Sequence, residues 1–113
     1  MDKNINRLLM QFEHLLRETN REFINPEIED LSINDLQPIV TLVAKSRASY
    51  LKHLYELSKK YDGTDDFPSA EELHRLRAYR NRFIELSDGA KSFEISIQRG
   101  YLDLKTVESG KES

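Results

Sequence analysis

Seven residues constrain this chain more than any others: Leu76, Tyr79, Phe83, Leu86, Ala90, Phe93 and Ile97 recur at spacings of three and four along Ser69–Arg99. Such a stripe belongs to a helix that buries one face against partner helices. Ser69-Ala70-Glu71-Glu72 is a capping box ahead of it: the serine hydroxyl receives the N–H three residues on, and the glutamate reaches back. Gly100 follows Arg99, where a left-handed C-terminal cap belongs.

Two more helices fit the same period. Residues 3 to about 23 carry Ile5, Leu9, Phe12, Leu16, Thr19 and Phe23, widened by Leu8 and Leu15. Asn25-Pro26 ends this helix, because the residue before proline is pushed out of the α region. The connector 24–34 is too apolar for a free loop, and Ile28, Leu31 and Ile33 are expected to fold over the helix ends. The second helix runs from Asn34 or Asp35 to Tyr61, with Asp35 as cap and Pro38 in the first turn. Its predicted seam is Leu36, Val40, Val43, Arg47, Tyr50, Leu54, Leu57 and Tyr61, broadened by Ala44 and Leu51. Arg47 falls on that seam and is expected to snorkel outward along its stem. Asp62-Gly63 stops the helix, and Asp62 to Pro68 is a polar connection.

Short connections make neighbouring helices antiparallel. The expected fold is all-α: an antiparallel three-helix bundle with long second and third helices, one domain over residues 1–107 and a flexible tail at 108–113. One alternative stays open beyond Asp88-Gly89. Phe93, Ile95 and Ile97 also alternate with polar residues, a strand period that a C-terminal β-hairpin returning through Tyr101–Val107 would use. The long helix is preferred, since the stripe passes through Gly89 in phase and one internal glycine costs only about 1 kcal/mol.

Composition narrows function by exclusion. Of the 113 residues, 38% are hydrophobic and 33% charged, the net charge is −3, and cysteine is absent, so disulfide, thiolate and cysteine–zinc chemistry are excluded. No apolar run approaches the roughly 18 residues that span a bilayer. The N-terminus leads straight into an amphipathic pattern rather than a signal peptide, so no membrane partner and a cytoplasmic location are expected. No nucleophile–histidine–acid order or glycine-rich phosphate loop is present. Glu71 and His74 have the Glu-x-x-His spacing of di-metal bundles, but once only and off the seam, so no metal, cofactor or catalytic residue is predicted.

What remains is a non-enzymatic helical protein–protein interaction module, an adaptor, regulator or assembly chaperone that self-associates as a homodimer through the third helix. Phe83, Phe93, Ile95, Ile97 and Tyr101 are its expected apolar contacts. A sparser apolar line, Leu73, Ile84, Ile95 and Leu102, runs along the opposite side of that helix. The alternative is a nucleic-acid-associated factor. Arg75, Arg77, Arg80 and Arg82 crowd the start of the third helix, and antiparallel packing brings Lys52 and Lys59 toward them, a pattern suited to phosphate contacts.

Overall fold

The computed structural model describes residues 2–105, so the expected tail at 108–113 lies outside the described residues. Helix α1 spans Asp2–Ile24, α2 spans Ile33–Lys60 and α3 spans Ala70–Gln98, with a 3₁₀ turn at Asn25–Glu27. There is no strand among the described residues, and the all-α class stands. The residues fall into two compact units: one made of the chain up to Leu36 together with that from Ser92 on, the other of Gln37–Lys91.

The second of these is an antiparallel helix pair. Tyr50 stacks on Phe83 with ring centroids 6.2 Å apart, and His53 lies on Tyr79 at 3.9 Å. One register thus runs toward the loop, where Lys60 and Tyr61 meet Glu72. All seven stripe residues of α3 are half-buried, as their spacing predicts. The face of α2 is rotated from the expected one. Ile39, Val43, Ser46, Tyr50, His53, Leu57 and Tyr61 turn inward, while Val40, Arg47, Leu51 and Leu54 are exposed. The rotation spares Arg47 an unpaired burial. Its guanidinium instead covers the outer side of the Phe83 ring at 5.1 Å. Ser46 is buried at 4% exposure, and its hydroxyl donates to the Val43 carbonyl at 2.8 Å, so its polar atom is satisfied within its own helix.

Helix ends follow local chemistry closely. The Glu72 N–H donates to Ser69 Oγ at 3.0 Å, and the Ser69 N–H donates to Glu72 Oε1 at 2.9 Å, which completes the expected capping box. Gly63 takes a φ of 75° just past α2, the left-handed conformation that ends a helix most cheaply in glycine. The start of α2 differs from expectation. Ser32 is the cap, and Asp35 is the acid three residues on, accepting from the Ser32 N–H at 2.9 Å and its hydroxyl at 3.1 Å. Pro38 therefore lies beyond the first turn, inside the helix.

In the first unit, α3 stays helical through Gln98, so residues 90–98 form no hairpin strand. Gly100 caps it at φ 79°, with the Gly100 N–H donating to Ile97 O at 3.2 Å and the Tyr101 N–H to Ser96 O at 2.8 Å. The chain then runs back along the connector. The Lys105 N–H donates to Leu31 O at 2.6 Å, and Ser32 and Lys105 form an isolated parallel bridge. Among the described residues Leu31 and Leu102 are the buried apolar ones, at 5% and 3% exposure, whereas Ile33 is 57% exposed. The Asn25 side chain accepts from the Asp103 N–H at 3.1 Å.

Candidate functional site

One long apolar stripe that the fold leaves exposed lies on α1, besides Val40, Leu51 and Leu54 on α2. Every residue from Asp2 to Thr19 is exposed, including the whole stripe expected to enter a core. Leu8 is 62% exposed, Phe12 56% and Leu15 61%. The helix forms because its apolar and polar residues segregate to opposite sides over six turns, which is the amphipathic pattern of a helix that packs on something.

The far end of α1 is held firmly within its unit. Arg21 makes a two-pronged bond to Asp103, Nη1 to Oδ1 at 2.8 Å and Nη2 to Oδ2 at 2.5 Å, and Nη1 also donates to Gly100 O at 3.1 Å. This bonding raises the Arg21 pKa and lowers that of Asp103, since each holds the other in its charged form. The clamp seats α1 beside the cap of α3. Between them lies an open groove of about 680 Å³, lined by Leu9, Phe12, Leu16 and Tyr101 among others.

The third-helix residues expected to form the contact surface are placed less openly. Phe83 is half-buried beneath Arg47 and beside Tyr50. Phe93, Ile95, Ile97 and Tyr101 are also half-buried, and of these Tyr101 borders the α1 groove.

The basic cluster is partly spoken for. Arg75 lies 3.6 Å from Glu71, the guanidinium of Arg82 is 5.2 Å from the Tyr79 ring, and Lys59 is 5.5 Å from the Tyr55 ring. Arg77, Arg80 and Lys52 are exposed, with no ion pair among the described residues. A small cleft of about 160 Å³ sits nearby, lined by His53, Glu56, Leu57, Lys60, Glu72 and Arg75. Glu72 is fully engaged there. Lys60 Nζ donates to it at 2.6 Å, and the Tyr61 hydroxyl and the Ser69 N–H also donate to it. These donors hold its pKa down at about 2, so it is a poor proton acceptor near neutrality. His53 Nδ1 is buried without a hydrogen-bond partner among the described residues, its ring held against Tyr79.

Among the described residues, no three His, Cys, Asp or Glu side chains gather as a metal-binding group. Their helices include none long and apolar enough to cross a membrane. Sequence reasoning found the α1 stripe but assigned it to the core; no pattern within α1 distinguishes a face buried in its own fold from one left for a partner. Comparison with protein-family models, curated proteins and solved structures finds no match for this chain.

Proposed function

We propose that this chain is a non-enzymatic helical interaction module, an adaptor, regulator or assembly chaperone of the cytoplasm, that works by laying the apolar face of α1 against a partner. The exposed stripe from Ile5 to Leu16 carries this reading, because soluble chains rarely leave a contiguous apolar face of this size uncovered. Tyr101 extends the surface across the groove, and Phe93, Ile95 and Ile97 lie in the same unit. Helix-face packing of this kind reads its partner through anchors at i, i+3, i+4 and i+7, the spacing of Ile5, Leu8, Leu9 and Phe12.

The stripe must be accessible in the isolated chain. A maleimide should label Leu15→Cys in dilute solution at close to the rate of an unfolded peptide. A protected thiol under those conditions would sink the proposal.

A second reading rests on Arg77, Arg80 and Lys52, whose charges are not neutralised by ion pairs among the described residues. If they contact phosphates, the chain is retained on a polyanion column and elutes earlier as salt rises, and Arg77→Glu/Arg80→Glu abolishes that retention. Retention unchanged in the double variant removes the nucleic-acid reading.

A further inference from the structure

The side of α2 that faces away from α3 has a pattern of its own. At about 100° per residue, Ala44, Ala48, Leu51 and Tyr55 fall within about 60° of one another, turned away from Tyr50, His53 and Leu57. All four are exposed, Leu51 at 52% and Tyr55 at 62%. Their spacings of four, three and four are those of a heptad seam. Lys45, Lys52 and Lys59 recur every seven residues, about 50° to 90° to one side of it, on the flank that meets the charges of a partner helix. The opposite flank carries Val40, Arg47 and Leu54, and Arg47 is already turned to the Phe83 ring at 5.1 Å. The three lysines are exposed and form no ion pair among the described residues. Glu56, the one acid of α2 after Asp35, lines the cleft with Glu72 and Arg75 instead.

We propose that this outer face of α2 docks an amphipathic helix of another protein, one that carries Asp or Glu at heptad spacing beside its apolar seam. This is a second surface, on a different helix, and it stands whether or not α1 docks anything. A helix laid along α2 covers Leu51 and Tyr55 and sets one residue of each of its heptads against a lysine. Acids there complete three charge pairs, whereas lysines there would repel, so the row selects its partner by sign as well as by shape. Ala44 and Ala48 leave the seam shallow at one end, with room for larger partner side chains. A lipid surface suits this face less. An interfacial helix carries its basic residues on both sides of the apolar stripe, and Asp62, Asp65 and Asp66 follow just beyond α2, where anionic headgroups would repel them. A nucleic acid offers phosphates to the lysines but nothing to cover the seam between them and Val40.

The test uses the whole chain and two synthetic probes. Each is a three-heptad peptide with leucine on its seam; one has glutamate at both flanking positions, the other lysine. Like charges on both flanks keep either peptide from pairing with itself. Fluorescence anisotropy should show the glutamate peptide binding about tenfold more tightly than the lysine peptide, with the difference shrinking as salt rises. Lys45→Glu/Lys52→Glu should invert that preference with helix content unchanged, because both side chains are exposed. Leu51→Asp should weaken the glutamate peptide about tenfold or more. Equal binding of the two peptides, binding of neither, or a preference unchanged in the double variant overturns the proposal. So does binding of phosphatidylserine vesicles or duplex DNA, lost in the double variant, by a chain that ignores both peptides. Phe12→Asp should leave the affinity for the glutamate peptide unchanged. A loss there places the peptide on α1, which overturns the α2 site while supporting the interaction-module reading.

Discussion

Leu102→Ala is expected to destabilise the chain by about 3 kcal/mol, the largest effect of any single side-chain truncation in the molecule. Leu102 is 3% exposed and Leu31 5%, and they are the buried apolar residues among those described. With so few buried groups, neighbours have little material with which to collapse into the space a lost isobutyl group leaves. Leu102 follows the Gly100 cap, and its own N–H donates to Ser96 O at 3.2 Å, so its position is fixed by backbone as well as by packing. Leu104, 36% exposed, is the control: Leu104→Ala should cost less than 1 kcal/mol. Urea denaturation measures both, and hydrogen exchange should show the loss first at amides 96–105 and in the connector around Leu31. Equal losses from the two truncations would mean that residues 98–105 are not anchored by burial.

The second large effect is pH dependence centred on Glu72. Its pKa is held at about 2, below the ordinary 4.5, by Lys60, Tyr61 and the Ser69 N–H. A group depressed in the folded state contributes stability fully above its unfolded value, and that contribution is lost as pH falls through the folded one. The junction between α2 and α3 should therefore weaken progressively from pH 4.5 toward 2. The alkaline side has the opposite sign. The same contacts raise the pKa of Lys60 above 10.5 and of Tyr61 above 10.0, so their contribution is complete below those values and is lost as pH rises through the raised ones. Glu72→Gln keeps the shape of the capping box and removes the charge. It should lower the thermal midpoint at neutral pH and flatten the acid decline at this junction, read by the amide exchange of residues 70–73. Asp103, whose pKa is also lowered, adds an acid decline of its own at the Arg21 clamp, which is why the readout must be local. A Glu72 carboxyl that titrates near 4.5 by NMR would contradict the arrangement.

Much of this architecture is written in short-range chemistry. The capping box at Ser69 and Glu72, the stop at Asp62-Gly63 and the cap at Gly100 each depend on residues within a few positions of one another. Periodicity likewise located the α3 stripe, and every member of it is half-buried. The α2 stripe was harder to read. Several rotations of that helix offer an apolar face, and the one adopted places Ser46 and His53 inward while Val40, Leu51 and Leu54 remain out. Hydrophobicity alone does not select it. The cost of enclosing Arg47 and the fit of Tyr50 and His53 against Phe83 and Tyr79 do.

The candidate site was legible as a pattern and not as a place. The spacing of Ile5, Leu9, Phe12 and Leu16 announces an amphipathic helix whatever covers it. Its exposure depends on which other segments reach α1, and the contacts that decide this span some eighty positions: Arg21 with Asp103, and Asn25 with the Asp103 N–H. Residues 101–105 read as chain beyond the Gly100 cap or as the return strand of a hairpin, so nothing in their spacing marked Asp103 as the anchor of α1 or Leu102 as its unit's most buried residue.

By itself, then, the sequence determined three amphipathic helices, their order, the stop after α2 and the caps at both ends of α3, because these follow from interactions within a turn or two of the chain. The tertiary structure decided which stripe is buried and which is exposed. That choice is made by burial between distant segments, a nondirectional force that any apolar face satisfies equally well, so only the folded arrangement shows that the α1 stripe is exposed while that of α3 is half-buried.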